Sequence, residues 1–144
     1  MDLDGATVAD VVRRTLDEDL GPTGDVTAKL CVPGETRGRA VIVARAAGVV
    51  AGVAVAEQCF QAVDPHSEVR VHAGDGSAVQ ANDLILEVHG SAAGLVGAER
   101  SALNFMQRLS GIATRTRAFV DAVAGTGADI LDTRKTTPGL RALE

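Results

Sequence analysis

Two adjacent cations near the end of the chain, Arg134 and Lys135, are the residues best suited to chemistry. They follow Ile-Leu-Asp-Thr, in which two apolar residues come first, and precede Thr-Thr-Pro-Gly. Arginine presents a planar fork that matches a carboxylate, and lysine offers a mobile point charge suited to phosphate. Free amides at the start of a following helix would add further anion donors. The spacing predicts an anion-binding site, with an ordinary solvated turn as an equal alternative.

Two further arginines, Arg100 and Arg108, lie in a stretch with helical periodicity. At about 100° per residue they share an arc with Asn104, opposite an apolar arc formed by Ala102, Leu103, Phe105, Met106 and Leu109. A cationic arc of this kind is ordinarily the solvated face of an amphipathic helix. Their positions alone therefore favour a structural role over a ligand contact.

Several classes of site are excluded by motif and composition. The chain has no dinucleotide fingerprint, no phosphate loop and no nucleophile elbow. Cys31 and Cys59 lack metal-like spacing, and His66, His72 and His89 show no ligand pattern, so no metal site is predicted. A formal net charge of −5 argues against a nucleic-acid partner.

The sequence lacks recognisable targeting signals, which favours a cytoplasmic protein. The first residues, MDLDGATVADVVRR, are acidic and lack an apolar leader core. No later run approaches the roughly 18 apolar residues of a membrane span. We therefore expect no membrane partner.

The first half of the chain reads as a helix followed by a small sheet. Apolar spacing predicts a helix over residues 6–18, which ends at an ordered loop, EDLGPTGDVTA. A strand over RGRAVIV, a turn near Gly48 and a second strand ending at Gly52 follow. A helix over 53–64 should pack on this sheet.

Alternation and turn signals organise the second half. SEVRVHAGDGSAVQANDLILEVHG alternates as an antiparallel hairpin or small barrel would. A helical pattern from about residue 95 to 124 has Gly111 as its expected bend. A short strand over 128–133 and a helix starting at Thr137 and Pro138 complete the expected elements.

Three stretches of the sequence together resemble the quinolinate phosphoribosyltransferases, also called carboxylating nicotinate-nucleotide pyrophosphorylases. They are EDLGPTGDVTA, GAERSALNFMQRLSGIATRTRAFVDAV and ILDTRKTTPGLRALE, in the family's order over essentially the whole chain. The resemblance implies an α+β fold: an N-terminal open-faced α/β sandwich over residues 1–110, and the start of an incomplete, TIM-like α/β barrel over 111–144. It also implies a homodimer whose sandwich domain caps the partner's barrel.

The activity that the resemblance implies is phosphoribosyl transfer with decarboxylation. Quinolinate and phosphoribosyl diphosphate, with Mg²⁺, would give nicotinate mononucleotide, pyrophosphate and CO2 in de novo NAD synthesis. By motif, Arg100 would reach quinolinate in the partner subunit's site. Thr133, Arg134 and Lys135 would line the first barrel strand, with Arg134 facing the quinolinate carboxylates and Lys135 the phosphoribosyl diphosphate. No catalytic acid or base is predicted, and the Mg²⁺ ligands are expected outside this chain.

The remaining motifs of the family do not occur in the sequence. We therefore expect a truncated portion of the enzyme that is inactive by itself. Related nicotinate or molybdenum-associated phosphoribosyltransferases with the same domain plan are alternatives. A biotinyl or lipoyl carrier is a weaker alternative, because Lys29 and Lys135 both lie outside the predicted hairpin. A pure interaction module is a third class.

Overall fold

The computed structural model describes residues 4–144 and begins with the predicted amphipathic helix. Helix α1 spans Gly5–Leu20 and is capped by Asp4, whose side chain accepts from the amides of Ala6 and Thr7. Its buried residues are Val8, Val11, Val12 and Leu16, the four that set the predicted periodicity. The helix ends at Gly21, whose φ of 57° suits glycine. The predicted helix is confirmed.

A second, short helix corrects the prediction of a continuous loop after α1. Helix α2 spans Val26–Cys31, and its N-cap Asp25 accepts from the amide of Ala28 at 2.8 Å. Asp25 therefore starts a helix where the sequence suggested a fixed turn. The structural reason is capping, because an Asp side chain supplies the acceptor that a helix N-terminus lacks.

The strands form two antiparallel sheets. Strands β1 (Arg37–Val43), β3 (Glu68–Val71) and β5 (Leu84–Ser91) form one sheet in the order β1-β5-β3. Strands β2 (Gly48–Val49) and β4 (Ala78–Val79) form the other.

The pairing of these strands agrees with the expected hairpin only in part, since β3 and β5 pair antiparallel but β4 does not join them. Although β3, β4 and β5 follow one another in the sequence, β4 pairs with β2, and β3 pairs with β5. Within the described residues the sheet does not close into a barrel. The second predicted strand is also shorter than expected and ends at Val49.

Helices cover one face of the larger sheet and leave the other face open. Helices α3 (Val53–Val63) and α4 (Ala92–Val123) pack on the side where Leu86 and Val88 are fully buried. Because side chains alternate along a strand, Glu87 points to the opposite face, where its register partner Val41 is 43% exposed. The α+β class and the open-faced sandwich are thus confirmed.

Helix α4 is a single element of 32 residues, about 48 Å long. It continues through Gly111 without interruption, so the expected division at this residue is wrong. The apolar arc is confirmed: Ala102, Phe105, Met106 and Leu109 are buried. The proposed domain boundary at 110/111 falls inside this helix and stays a prediction.

The segment after α4 has neither of the two elements predicted for it. Residues 128–133 form no strand pairs among the described residues, because a parallel strand needs a neighbour and none lies beside them. Residues 137–144 form two tight turns, with Leu140 donating to the Thr137 carbonyl and Glu144 to that of Leu140. The expected helix after Thr137 is therefore absent from the structure.

Among residues 4–144, no helix combines the length and the hydropathy that a membrane crossing requires.

Candidate functional site

The predicted cation pair lies in an exposed turn of the terminal loop, which we define as residues 124–144. The side chains of Arg134 and Lys135 are both exposed. Within residues 4–144 neither makes an ion pair or a side-chain hydrogen bond. Two adjacent positive charges are thus left to solvent or to an anion.

Thr133 shapes the turn that presents these cations. Its hydroxyl accepts from the amide of Lys135 at 3.1 Å, and its carbonyl accepts from Arg141 Nη1 at 3.0 Å. Arg141 also approaches Asp132 Oδ2 at 3.4 Å. The Thr133 side chain therefore acts on the backbone around the cations, and its carbonyl is held by a residue from farther along the loop.

A second set of contacts joins the terminal loop to α4. Arg108 Nε lies 2.6 Å from Glu144 Oε1, and its Nη2 donates to the hydroxyl of Thr137. The other carboxylate oxygen of Glu144 accepts from the Thr137 amide at 3.0 Å. This amide lowers the pKa of Glu144 most, and the Thr137 hydroxyl and Arg108 lower it further. Glu144 is therefore an ionised anchor near neutral pH.

Arg100 lies in a separate groove of about 600 Å³. The groove runs between α4, the end of α1 and the start of α2, so it includes residues of the EDLGPTGDVTA stretch. Arg100 Nη1 donates to Asp19 Oδ1 at 2.6 Å, while the arginine side chain is 73% exposed. In the described part of the chain its other guanidinium nitrogens make no hydrogen bond, so they can serve a ligand.

The structure brings together Thr133, Arg134 and Lys135 but leaves Arg100 apart from them. The groove that holds Arg100 includes no residue of the terminal loop. Along α4, Arg100 lies about two turns, or roughly 12 Å, before Arg108, where that loop is attached. One chain therefore does not place all four predicted residues in a single pocket.

Sequence reasoning missed three residues around these sites, Asp19, Arg141 and Glu144, and it favoured a structural role for Arg108 without identifying its partners. The periodicity places Arg108 on a solvated face, yet this arginine contacts residues 29 and 36 positions away. Helical periodicity identifies the exposed side of α4 but not which later segment of the chain packs against that side. No local signal could have found these contacts.

A larger cavity lies elsewhere and is poorly suited to polyanions. It has a volume of about 950 Å³ and lies between β1, β2 and α4. Its walls are mainly aliphatic, with Val41, Val49 and Met106 among them. Its charged lining residues are Arg45, Arg115 and the carboxylate of Glu99, so an anion would lose hydration against mostly aliphatic walls with an acidic group nearby.

Metal binding is not supported by the residues that the structure describes. From Asp4 to Glu144, no three His, Cys, Asp or Glu side chains converge as ligands would. The Mg²⁺ implied by the resemblance was expected to find its ligands outside this chain, and it stays a prediction.

Taken together, the structure is an open-faced α+β sandwich whose long helix leads to an exposed pair of cations. Models of two family domains match this chain. Quinolinate phosphoribosyl transferase, N-terminal domain, matches residues 25–110, and the C-terminal domain of the same family matches 112–144. The chain belongs to the quinolinate phosphoribosyl transferase family.

Individual relatives agree with this assignment. The chain is 45% identical over 134 residues to quinolinate phosphoribosyltransferase [decarboxylating] 1b of Nicotiana tabacum, covering 93% of this chain and 38% of that protein. It is 45% identical over 127 residues to the probable nicotinate-nucleotide pyrophosphorylase [carboxylating] of Bacillus subtilis, covering 88% and 43%. The crystal structure of NadC from Streptococcus pyogenes superposes with a TM-score of 0.93 at 34% identity, covering 99% and 50%. The chain thus spans half or less of each relative's length.

Proposed function

We propose that this chain supplies the N-terminal domain and the first cationic wall of an enzyme that transfers phosphoribosyl to quinolinate. The substrates are quinolinate and phosphoribosyl diphosphate. The products are nicotinate mononucleotide, pyrophosphate and CO2, in de novo NAD synthesis. Family membership supports the reaction class, and the terminal loop supports the anionic substrates.

The observation that carries this proposal is that the adjacent side chains of Arg134 and Lys135 are exposed and make no ion pair with any residue of the described chain. Both arginines of α1 lie beside carboxylates, as Arg13 does with Asp10 at 2.7 Å. Arg134 and Lys135 instead keep their full donor sets open beside a turn fixed by Thr133. A planar fork and a flexible ammonium suit a dicarboxylate and a diphosphate respectively.

The proposed chemistry is electrostatic and positional. Pyrophosphate leaves the ribose C1 as positive character develops there, and the pyridine nitrogen attacks. The 2-carboxylate then departs as CO2, and the electron pair left on C2 takes a proton from solvent. Arg134 holds quinolinate by its carboxylates, and Lys135 holds the phosphoribosyl diphosphate, so that the two reacting atoms are aligned. We assign no general base to this chain.

Arg100 supports a homodimer in this proposal. Its groove is separate from the terminal loop of its own chain, while its guanidinium is exposed and only partly paired. An arginine in that position can complete the site of a second subunit, as the family resemblance implied. The expected Mg²⁺ and the cytoplasmic location stay predictions.

A chimera tests the proposal directly. Residues 1–144 are joined to the remaining part of the Bacillus subtilis relative, and nicotinate mononucleotide formation is measured. We expect activity in the chimera. Arg134→Ala should raise KM for quinolinate and Lys135→Ala KM for phosphoribosyl diphosphate, each roughly 10- to 100-fold, because each removes charge-assisted contacts.

Arg13→Ala is the matched control, since it removes an exposed arginine whose partners are Asp10 and Asp17 on the same helix. Its kinetic constants should equal those of the parent chimera. Equal KM values for both substrates in the Arg134 and Lys135 variants would refute the assignment. The 144-residue chain alone should form no product, and measurable synthesis by it would refute that expectation.

A further inference from the structure

Arg108 makes the polar contacts that hold the terminal loop against α4, beside the packing of Leu140 and Leu143 on the core. Both Nε and Nη2 lie 2.6 Å from Glu144 Oε1, and Nη2 also reaches the Thr137 hydroxyl. Two of its three guanidinium nitrogens are thus engaged with the loop. Arg108 is therefore poorly placed to receive a substrate, although it is 48% exposed.

Glu144 completes a closed arrangement with Thr137. Its side chain is only 7% exposed. One carboxylate oxygen receives the arginine and the other receives the Thr137 amide. Thr137 is consequently held through both its backbone and its hydroxyl. We call Arg108, Thr137 and Glu144 the loop clamp.

The loop clamp lies immediately after the cation pair. Thr137 follows Lys135 by two positions, and on the other side the Thr133 carbonyl is fixed by Arg141. The backbone of Arg134 and Lys135 is thus restrained from both directions. An unrestrained loop would weaken substrate binding, because the loop would lose conformational entropy when the bound substrate orders it.

These contacts differ from an ordinary surface ion pair. Pairs such as Arg13–Asp17 join neighbouring turns of one helix, where the backbone is already fixed. The loop clamp joins α4 to residues 29 and 36 positions farther along the chain, and Thr137 lies only two residues after the cations. Its loss should therefore change the conformation of the loop more than the stability of the fold.

We infer that Arg108 is a positioning residue, which acts with Glu144 and Thr137 to fix Arg134 and Lys135 in the orientation that receives the two anionic substrates. This inference rests on the proposed function for its kinetic consequence. Its structural content, the clamp itself, can be tested without any activity.

The first test measures hydrogen exchange in the 144-residue chain. Arg108→Gln should speed exchange of the Thr137 amide at least about tenfold, because its acceptor Glu144 loses its anchor. Exchange in α3 should not change, which shows that the fold persists. Arg13→Gln, the matched control on α1, should leave the loop as it is. Unchanged exchange at Thr137 in the Arg108 variant would overturn the inference, whether or not the chimera is active.

The second test measures kinetics in the chimera. Arg108→Gln should lower kcat/KM about tenfold for both substrates together, whereas Arg134→Ala and Lys135→Ala each act mainly on one. The double variant Arg108→Gln/Glu144→Gln should be no worse than either single variant, because both remove one contact. Arg108→Lys, which keeps the charge but not the fork, should recover only part of the loss.

The two tests separate the inference from the proposed function. Faster Thr137 exchange with an inactive parent chimera would leave the clamp standing and refute the function. Faster exchange with normal kinetics in an active chimera would overturn the positioning role. Additive losses in the double variant would overturn it as well.

Discussion

At the scale of single residues, the same side-chain type serves three different ends in this chain. Arg100 shares its charge with Asp19, Arg108 engages Glu144 and Thr137, and Arg134 has no protein partner within residues 4–144. What separates these arginines is the carboxylates that the fold brings to each. The more guanidinium N–H donors an arginine has without a protein partner, the better a candidate it is for substrate binding here.

The two cysteines provide a residue-level prediction of reactivity. Burial raises the pKa of the Cys59 thiol to about 12, whereas Cys31 is exposed. At pH 8 only about one in 10,000 molecules would carry the Cys59 thiolate, which is the reactive form. We expect one thiol per native chain to react quickly with a disulfide reagent and two in guanidinium.

Cys31→Ser provides the control for this experiment, because it should abolish the fast native reaction and leave a single thiol after unfolding. Rapid modification of Cys59 in the folded Cys31→Ser variant would contradict its burial.

The candidate site was predictable in its chemistry but not in its supports. Arg134 and Lys135 were proposed from residue type and position, and the family resemblance implied their roles, which stay predictions. Arg108 and Glu144 could not be identified, since a contact over 36 positions leaves no periodic trace in the sequence. A local pattern reports on the helix or strand that carries a side chain, whereas the loop clamp depends on tertiary contacts between α4 and the terminal loop.

At the scale of elements, predictions succeeded where local and tertiary preferences coincide. Helices α1 and α3 carry apolar stripes that the core then buries, so periodicity was sufficient. Strand pairing was predicted less well, because β4 pairs with β2 and not with β5, the next strand in the sequence. The segment 128–133 has strand-like composition but no neighbouring strand among the described residues. Sequence composition cannot supply that partner.

Two glycines give opposite predictions for the same substitution. Gly52, at the start of α3, has a φ of 93°, and a Cβ there would lie 2.9 Å from Leu109 Cδ1. Gly52→Ala should therefore lower the free energy of unfolding by about 1–3 kcal/mol. Gly111 lies inside α4, and a Cβ added there would enter open space. Gly111→Ala should therefore raise the free energy of unfolding by about 0.5–1 kcal/mol.

Urea unfolding followed by circular dichroism measures both variants, and each serves as the control for the other. A destabilised Gly111→Ala would indicate that α4 needs flexibility at this residue after all. A neutral Gly52→Ala would show that the tight approach to Leu109 relaxes without cost.

At the scale of the whole molecule, one hydrophobic core lies between the helices and a single face of the sheet. On the open face, Glu87 of β5 joins the strands by charge. It lies 3.0 Å from Arg39 of β1, 2.6 Å from His89 and 3.6 Å from His72, which follows β3. This face therefore has an ionic centre where the other has an apolar one. His72 and His89, two of the three histidines that showed no ligand spacing, have a structural role here.

This ionic centre predicts how the stability of the fold depends on pH. Hydrogen bonds from Arg39 and then His89 lower the pKa of Glu87 to about 2 from its usual 4.5. Because the folded pKa is the lower one, Glu87 stabilises the fold fully above about pH 4.5, and this contribution is lost as the pH falls towards 2.

Thermal unfolding midpoints measured from pH 6 to 2 should fall more steeply for the parent chain than for Glu87→Gln. Glu35→Gln, which changes an exposed carboxylate, should follow the parent curve. Parallel curves for the parent and Glu87→Gln would show that Glu87 does not link the strands of the open face.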